Sequence, residues 1–502
     1  MPAPVTTRAQ VNGYRLLLRR MEHALIRADS RMIHDPMRGQ MRALMVGVVV
    51  AVLIAGGAGV LAFFRPTPNF GDSTIMVAKS NGTMFVRIGD HLHPVLNLAS
   101  ARLIVGKSDT PKEVDDKFLN TVPLGPVVGI VGAPGSINRG DDMTTSSWTV
   151  CDSTQPPSAT EPSRAPAIET TVLANDPVLN DEIQVASPDQ MILTRAGATT
   201  YLVYNGVRAA INPSDATLRN ALRLPDGEIR EVSPGLINSF PLVEPIVPIA
   251  IEGLGEPADY LAPNYRVGSI LKTVDSHGEQ LYVLLREGLQ PISPMTADII
   301  RYGNPQAPTT AEPTSISPAL VNAVPVVHIL PVDHYPTAQS RFVRIESHPV
   351  LCMSWQRNNS ATVATIRLLV GNRLPLPNDA QPVRLASADG GGPGLDNVYL
   401  RPGTGEYVQA TGSQVDSRAA GQFFYVDDLG VRFHVVDKSA AAALGITGVK
   451  TSGSSDVTAQ TAPWAILALL PAGPELSQRA ALIAHDGMAA DAAGHAIAPA
   501  NQ

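Results

Sequence analysis

This 502-residue sequence is poor in aromatic residues and nearly free of cysteine. Phe, Trp and Tyr make up 5% of the chain, whereas Pro and Gly occur 43 and 41 times. That balance predicts many short strands and turns rather than long helices. The formal net charge of −7 argues against nucleic-acid binding, which depends on basic surfaces. The composition therefore indicates an α+β protein with a β-rich body.

Motifs for nucleotide and acyl chemistry are incomplete or missing. A P-loop needs G-x-x-x-x-G-K-[ST], whose glycines let backbone amides cradle phosphates. The nearest match, residues 101–108, lacks the first glycine and keeps only Gly106, Lys107 and Ser108. These three are a weak nucleotide-binding candidate, and the alternative interpretation is a strand end followed by a polar turn. No G-x-S-x-G occurs. We therefore assign no catalytic residue and expect no cofactor.

Histidines give no clear metal or catalytic site. His91 and His93 are spaced to share one face of a strand, but no further ligand has a recognisable spacing. Ser477, His485 and Asp486 have the residue types of a catalytic triad, yet Ser477 is better interpreted as a helix N-cap. We therefore predict no metal site and no triad.

Residues 43–64 form an uninterrupted run without a charged side chain. A helix needs about 20 apolar residues to cross a bilayer core. Asp35 and Pro36 supply an N-cap and a first helical residue, and the pair Arg65 and Pro66 stops the helix. The run therefore predicts one transmembrane helix. A cleaved signal peptide is the alternative, but its basic and apolar regions are shorter.

The charge around this run predicts its orientation. Residues 1–42 contain eight arginines and three acids, which gives +5, so the remainder of the −7 chain carries −12. Positively charged flanks stay in the cytoplasm. We therefore expect a cytoplasmic N-terminus and an extracytoplasmic body.

Four small residues recur at four-residue spacing along the predicted membrane helix and so share one face. They are Gly47, Ala51, Ala55 and Gly59. Small residues let a second membrane helix approach closely, although they are also common in membrane helices generally. The spacing predicts a helix-packing face.

The basic arm of residues 1–42 carries an apolar stripe with steps of three and four. Its members are Val11, Tyr14, Leu18, Met21, Leu25, Ala28 and Met32. This spacing predicts an amphipathic helix of about 25 residues. We assign Val11, Tyr14, Leu18, Met21 and Leu25 to a cytoplasmic partner face. A protein partner and the membrane surface both fit this face.

The two cysteines, Cys151 and Cys352, each have a tryptophan three residues away, at Trp148 and Trp355. Outside the cytoplasm, two cysteines in one chain favour one disulfide. Two free buried thiols are the alternative. A bond between them would close a loop of about 200 residues, a large constraint on the unfolded chain.

Two sequence signatures recur in the same order. The first is an aromatic strand, a glycine turn and an apolar strand, and it occurs at residues 85–90, 201–207, 282–289 and 425–431. The second ends in proline and occurs at residues 118–123, 236–241, 320–325 and 466–471, where Ala468 replaces an asparagine. Two ordered signatures predict four copies of one unit, a hairpin with one or two short helices.

The spacing of these signatures predicts the domain organisation. Inserts separate the first and second copies and the third and fourth, and each insert holds one cysteine, so we expect a central domain built from both. The predicted segments are the arm 1–42, the membrane helix 43–64, a linker 65–80, repeat 1 at 81–124, a first central segment at 125–198, repeat 2 at 199–245, repeat 3 at 265–327, a second central segment at 328–420, repeat 4 at 421–486 and a disordered tail 487–502. Repeats 2 and 3 would pair, as would 1 and 4.

The whole pattern resembles the EccB family, a core component of the mycobacterial type VII (ESX) secretion machine. The matching segments are 8–14, 18–23, Arg65 with Pro66, 92–103, Trp148 with Cys151 and Asp152, Cys352 with Trp355, Pro463 with Trp464, 470–474, Leu476 with Ser477, and His485 with Asp486. The resemblance spans almost the full length. It implies a single-pass inner-membrane protein with a periplasmic body containing a disulfide-linked core and four repeats.

The resemblance also implies function and partners. It implies a structural subunit that links the EccC motor to a periplasmic scaffold, alongside EccD, EccE and the mycosin protease. Periplasmic bodies would dimerise within a hexameric assembly. Two alternatives remain: an ATP-hydrolysing subunit, because the family is sometimes labelled so, and a cell-wall-binding module.

Overall fold

A computed structural model describes residues 7–28, 31, 36–64, 74–119, 121–137, 144–155, 167–227, 229–258, 260–261, 265–276, 278–304, 312–446 and 459–487. The chain divides into two compact units, Met1–Ser73 and Thr74–Gln502. Each unit is described by itself.

The helices of the described residues are long in the first unit and short in the second. They are α1 (Arg8–Arg27), α2 (Pro36–Phe64), α3 (Leu98–Val105), α4 (Asp116–Leu119), α5 (Ala216–Leu222), α6 (Pro234–Ser239), α7 (Pro294–Gly303), α8 (Pro318–Ala323), α9 (Lys438–Leu444), α10 (Trp464–Leu467) and α11 (Gln478–Ala481).

The strands of the described residues all lie in the second unit. They are β1 (Ile75–Ala78), β2 (Met84–Ile88), β3 (His91–Pro94), β4 (Lys112–Val114), β5 (Val127–Val128), β6 (Thr145–Gln155), β7 (Ala167–Ala174), β8 (Ile183–Val185), β9 (Gln190–Ala196), β10 (Thr199–Tyr204), β11 (Val207–Ile211), β12 (Arg230–Glu231), β13 (Leu242–Ile246), β14 (Ile270–Asp275), β15 (Gly278–Leu284), β16 (Leu289–Ile292), β17 (Thr314–Ser315), β18 (Arg341–Phe342), β19 (Val350–Asn358), β20 (Thr365–Gly371), β21 (Val383–Arg384), β22 (Asn397–Leu400), β23 (Glu406–Thr411), β24 (Phe423–Val426), β25 (Arg432–Val435), β26 (Gln460–Pro463) and β27 (Ala484–His485).

Helix α1 is shorter than its apolar stripe predicts. It begins after Thr7, whose backbone amide donates to the Gln10 side chain at 3.0 Å. It ends at Arg27, because the next residue, Ala28, adopts a left-handed conformation with φ 56° and does not continue the helix. The predicted 25-residue helix is therefore 20 residues long. Ala28 lies outside it, and Met32 lies outside the described residues.

Helix α2 contains the predicted membrane helix. It begins at Pro36, as the missing proline N–H allows, and ends at Phe64. Its segment Gly39–Val60 is long and apolar enough to cross a membrane. The flanking Asp35 and the Arg65–Pro66 pair lie outside the described residues.

The second unit contains four small sheets that share one topology. In each, the first three strands form an antiparallel meander, and a fourth strand pairs in parallel with the first. The strand orders are β3-β2-β1-β4, β11-β10-β9-β12, β16-β15-β14-β17 and β25-β24-β23-β26. The second of these belongs to a six-stranded sheet, in which β13 also pairs with β11 and β18 also pairs with β9. We call these the first, second, third and fourth small sheets. The second and third strands form the hairpins that the glycine signature predicts, as at Gly206, where φ is 77°.

A short helix follows the third strand of each small sheet, because a polar residue caps its first turn. The caps are Asn97, Asp215, Ser293 and Asp437, whose side chains accept hydrogen bonds from the backbone amides of Ser100, Leu218, Thr296 and Ala440. A second short helix follows each fourth strand and contains part of the proline-ending signature.

The proline that ends the second signature is bonded to the third strand of its own small sheet. The amides of Leu92, Arg208, Leu289 and Arg432 donate to the carbonyls of Pro123, Pro241, Pro325 and Pro471 at 2.8 to 2.9 Å. Asn120, in the first copy of this second signature, lies outside the described residues. The two signatures therefore recur together in sequence because the proline that ends the second is hydrogen-bonded to the hairpin formed by the first.

A seven-stranded sheet joins the two inserts. Its order is β21-β22-β7-β6-β19-β20-β8. Three of its strands come from residues before the second small sheet and four from residues after the third. We call it the central sheet.

The strand pairing moves three of the boundaries drawn from sequence. Strand β1 lies in the predicted linker, and β9 and β23 lie in predicted central segments, yet each is the first strand of a small sheet. The boundaries were set on the aromatic hairpin strand, which is the second strand. The first strands share no residue that marks them, since they read IMVA, QMILTRA, ILKTVD and EYVQAT.

The small sheets pack in two pairs. The second and third share a core in which Leu218 of α5 and Ile299 of α7 are buried. The first and fourth share another, which joins Leu103 of α3 to Leu444 of α9. Strands β5 and β27 also pair, which connects the first segments of the body to its last.

Candidate functional site

Strands β6 and β19, which are neighbours in the middle of the central sheet, are joined by a disulfide bond. These strands are antiparallel, and their register sets Cys151 directly opposite Cys352. The two residues form a disulfide with a Cα–Cα distance of 4.0 Å, and both are fully buried. The bond spans a sequence separation of 201 residues. It therefore fastens together the two halves of the central sheet.

The same register sets Trp148 opposite Trp355. Side chains alternate across a strand, so tryptophans three residues from the cysteines project from the opposite face of the sheet. Both indoles are fully buried, and Trp148 Nε1 donates to Ser146 Oγ at 3.1 Å. Their core also contains Val203 of the second small sheet and Phe424 of the fourth. The face of the central sheet that carries Trp148 and Trp355, here called the tryptophan face, therefore packs against the second and fourth small sheets.

Asp152 forms a buried polar contact on the tryptophan face. Its carboxylate accepts hydrogen bonds from the Ser233 amide at 2.7 Å, the Ser233 hydroxyl at 2.7 Å and the Thr170 hydroxyl at 3.0 Å. Burial raises the pKa of the Asp152 carboxyl, while these hydrogen bonds oppose the rise. Because Ser233 is also the N-cap of α6, the contact ties the central sheet to the second small sheet.

Arg230 connects this contact to the two residues that precede β19. Its guanidinium donates to the carbonyls of His348 at 2.8 Å and Pro349 at 2.6 Å. Burial lowers the pKa of Arg230 to about 10, and the carboxylate of Asp152 acts in the opposite direction. The guanidinium therefore remains charged at neutral pH. We call Asp152, Thr170, Arg230 and Ser233 the Asp152 cluster.

Glu406 is a second buried acid that sequence reasoning missed. It is 6% exposed, and neither carboxyl oxygen has a hydrogen-bond partner among the described residues. Burial raises the pKa of Glu406 to about 8, and the charge of Asp176 adds to the rise. No motif surrounds Glu406 in the sequence, so nothing there distinguishes it from a surface acid.

The weak nucleotide candidate has the wrong local structure for a P-loop. Gly106 is the C-cap of α3, with φ 73° and its amide bonded to the Arg102 carbonyl at 2.8 Å. Lys107 and Ser108 therefore follow the carbonyl end of a helix, which repels phosphate, rather than preceding the amide end. The alternative interpretation, a strand end, is also wrong, because the preceding residues are helical.

The candidate histidines contact backbone carbonyls. His93 Nδ1 lies 2.9 Å from the Pro126 carbonyl, and His485 Nε2 lies 2.7 Å from the Gly129 carbonyl. Ser477 caps α11 by accepting from the Ala480 amide at 3.1 Å. Among the described residues, no group of three or more His, Cys, Asp or Glu side chains is placed to hold a metal.

The helix faces predicted for partners lie on α1 and α2. Val11, Tyr14, Leu18, Met21 and Leu25 are exposed along α1. Gly47, Ala51, Ala55 and Gly59 are exposed along α2, and an added Cβ at Gly47 or Gly59 would meet nothing within 4 Å. These faces remain predictions.

Among the described residues, one helix is long and apolar enough to span a membrane, and the strand-rich second unit contains one buried disulfide. These features are typical of a membrane-anchored protein with a folded domain. The family model T7SS_ESX1_EccB, described as type VII secretion system ESX-1, transport TM domain B, matches residues 3–490. The chain belongs to this EccB family.

Relatives match over nearly the full length. The protein named ESX-3 secretion system ATPase EccB3 from Mycobacterium tuberculosis (strain ATCC 25618 / H37Rv) is 33% identical over 97% of this chain and 90% of its own. The ESX-1 secretion system ATPase EccB1 of Mycolicibacterium smegmatis (strain MKD8) is also 33% identical, over 97% of both chains.

Solved structures share the fold. A chain of an intact ESX-5 inner membrane complex matches with a TM-score of 0.70 and 31% identity, covering 100% of this chain and 99% of that one. A chain of the EccB3 dimer from the ESX-3 core complex matches with a TM-score of 0.68 and 30% identity, covering 82% of this chain and 100% of that one.

Proposed function

We propose that this chain is a structural core subunit of a type VII secretion inner-membrane complex. The observation that carries the proposal is the match, over 100% of this chain, to a chain of an intact ESX-5 inner membrane complex. Family membership over residues 3–490 supports it. In this proposal the chain serves protein export by holding other subunits in place.

The proposed link runs from a cytoplasmic motor to a periplasmic scaffold. Helix α2 crosses the inner membrane once, with the basic arm in the cytoplasm and the body in the periplasm. The exposed apolar face of α1 supports a partner on the cytoplasmic side, because an amphipathic helix without a core to cover needs another surface. We assign that partner to EccC, the ATPase of the assembly.

The body is proposed to act as the scaffold. The four small sheets, with their shared strand order, are four copies of one unit, and the central sheet is the domain that carries them. The Cys151–Cys352 disulfide and the Asp152 cluster hold this arrangement rigid. A rigid body suits a subunit that positions neighbours.

The proposed partners follow from the family. EccD, EccE and the mycosin protease join EccC in the assembly, which is hexameric, and bodies of this chain pair as homodimers. The solved EccB3 dimer, whose chain has a TM-score of 0.68 to this one, supports the pairing.

Affinity purification from native membranes tests this function. The tagged full-length chain is extracted in mild detergent, and its partners are identified by mass spectrometry. We expect an EccC-like ATPase, together with EccD-like and EccE-like subunits, in stable proportion to the chain. An untagged strain is the control. Recovery of the chain alone, under conditions that keep EccC bound to EccD, would contradict the proposal.

A further inference from the structure

The fourth small sheet packs one face of its first strand against the central sheet. Side chains alternate across a strand, so Glu406, Val408 and Ala410 of β23 project from the same face. Val408 and Ala410 are buried in one core with Val398 and Leu400 of β22. Glu406 therefore belongs to the face of β23 that packs on the central sheet, at the end of β23 where the chain arrives from β22.

The hairpin turn of the fourth small sheet lies against the same strand of the central sheet. A Cβ added at Gly430, between β24 and β25, would lie 2.5 Å from the side chain of Val398 in β22. In the same turn, the Asp428 carboxylate accepts a hydrogen bond at 2.8 Å from the amide of Gly403, which lies between β22 and β23. The two sheets therefore meet at one compact junction, which contains Glu406.

Glu406 introduces an acid into this junction. It is 6% exposed, and its cross-strand partner Val426 is fully buried. An ionised carboxylate loses its hydration in such a place, whereas a neutral carboxyl loses much less. The packed junction therefore favours the protonated form of Glu406.

The charge of Asp176, from the central sheet, acts in the same direction. Asp176 follows β7, whose last residue, Ala174, is buried in the same core as Val408. Its carboxylate accepts a hydrogen bond from Gln356 Nε2 at 3.1 Å. After burial, the negative charge of Asp176 is the second cause that raises the pKa of Glu406.

The other ionisable groups of the strands and turns that adjoin Glu406 are exposed, lie on the opposite face or are bound by backbone amides. They are Arg401, Tyr407, Tyr425, Asp427 and Asp428. Arg401 is exposed, and both tyrosines project from the faces of β23 and β24 opposite Glu406. Strand β26 has no ionisable side chain. Among the described residues, Asp176 is the charged group that shifts the pKa of Glu406.

We propose that a proton on Glu406 controls the docking of the fourth small sheet on the central sheet. With the proton bound, the carboxyl is neutral and the face of β23 stays packed on β22. Ionisation places a negative charge in an apolar junction where Asp176 is already negative. The fourth small sheet then detaches locally, while the rest of the body stays folded.

The direction of the pH effect follows from the raised pKa of Glu406. In the detached state the carboxyl is in water and has its ordinary pKa of 4.5, whereas in the docked state its pKa is about 8. Docking is therefore fully favourable below pH 4.5 and weakens as the pH rises to 8. Between pH 6 and 8, this linkage lowers the docking equilibrium constant by at least about tenfold.

Hydrogen exchange of the full-length chain in nanodiscs tests the proposal. Exchange is followed by mass spectrometry at pH 6 and pH 8 and is expressed as protection factors, which correct for the effect of pH on the intrinsic exchange rate. We expect the protection of residues 423–435 in the fourth small sheet to fall at least about tenfold. Residues 278–292 of the third small sheet, whose cores do not include β23, should stay within about twofold. An equal change in the two segments, or none in residues 423–435, overturns the proposal without any variant.

Two variants assign the effect to Glu406. Glu406→Gln does not ionise, so the fall in protection of residues 423–435 should disappear. Asp416→Asn removes an exposed carboxyl that follows the same strand, and it should behave as the parent does. A fall of full size in folded Glu406→Gln, or the loss of the fall in both variants, overturns the assignment.

Discussion

Trp148 and Trp355 are direct cross-strand partners on β6 and β19, on the face of the central sheet opposite the Cys151–Cys352 disulfide. One pair of strands therefore supplies a covalent brace on one face and a buried aromatic platform on the other. The platform contacts the second and fourth small sheets. Loss of either feature is therefore expected to lower the unfolding free energy of the whole body, and not only the stability of one strand.

The disulfide is predicted to be structural. The double variant Cys151→Ser with Cys352→Ser should lose about 2–5 kcal/mol of unfolding free energy, because a loop of about 200 residues is no longer closed in the unfolded chain. Denaturant titration of the full-length chain, followed by tryptophan fluorescence, measures the loss.

Mass spectrometry under non-reducing conditions provides the control for the bond itself. A peptide joining Cys151 to Cys352 is expected from the parent protein. Two thiols that react with an alkylating agent in the native protein would rule the bond out.

Ser233→Ala tests the tie between the central sheet and the second small sheet. The substitution removes the α6 cap and leaves Asp152 without the hydrogen bond from the Ser233 hydroxyl, so it should cost about 1–3 kcal/mol more than loss of a cap alone.

Ser317→Ala is the matched control for that prediction. Ser317 also precedes a proline and caps a short helix, α8, by accepting from the Leu320 amide at 3.3 Å. Its loss should cost about 0.5–2 kcal/mol, the usual value for a cap. Equal losses of stability in the two variants would show that the Asp152 contact adds nothing.

Glu406 predicts a dependence of stability on pH. Its folded pKa of about 8 lies above the ordinary value of 4.5, so the folded state holds a proton that the unfolded state releases between these pH values. Stability from this group is therefore fully present below pH 4.5 and is lost as the pH rises to 8, at up to about 1.4 kcal/mol per pH unit.

The Glu406→Gln variant measures this effect by difference. It keeps the shape of the side chain but does not titrate, so its unfolding free energy should fall less than that of the parent protein between pH 5 and 8. Parallel pH profiles for the two proteins would contradict a buried, uncharged Glu406.

Lys107→Ala tests the ATPase alternative that the names of the relatives raise. Because Lys107 follows the C-terminal end of α3, we expect ATP hydrolysis in preparations of the chain to be unchanged by the substitution. The activity should instead fall in proportion when an EccC-like ATPase is removed. A pure chain that hydrolyses ATP and loses that activity in Lys107→Ala would establish an intrinsic ATPase.

Local signals allowed much of the body to be predicted from sequence. Asn205 and Gly206 mark a hairpin because both adopt positive φ in a two-residue turn, a conformation that an Asn-Gly pair favours. The partner of each cysteine could be predicted without a structure, since only two cysteines are present. These features depend on residues that are close in sequence or unique in the chain.

Contacts between segments that are far apart in sequence leave no such local signal in the sequence. Asp152 and Ser233 are 81 residues apart, and each alone looks like an ordinary polar residue beside a strand or a helix. The parallel pairing of β1 with β4 likewise joins strands separated by a helix. Only the folded chain brings these groups together, so the Asp152 cluster and the first strands of the small sheets were missed.

The proposed link between motor and scaffold is tested most directly on α1. Leu18 lies on the apolar stripe and Leu16 lies on the opposite side of the same helix, and both are exposed. The measurement is the amount of EccC-like ATPase recovered per tagged chain for the parent, Leu18→Asp and Leu16→Asp. We predict equal recovery for the parent and Leu16→Asp and at least a tenfold loss for Leu18→Asp. Equal recovery in all three would contradict the proposal that this helix face joins the chain to the motor.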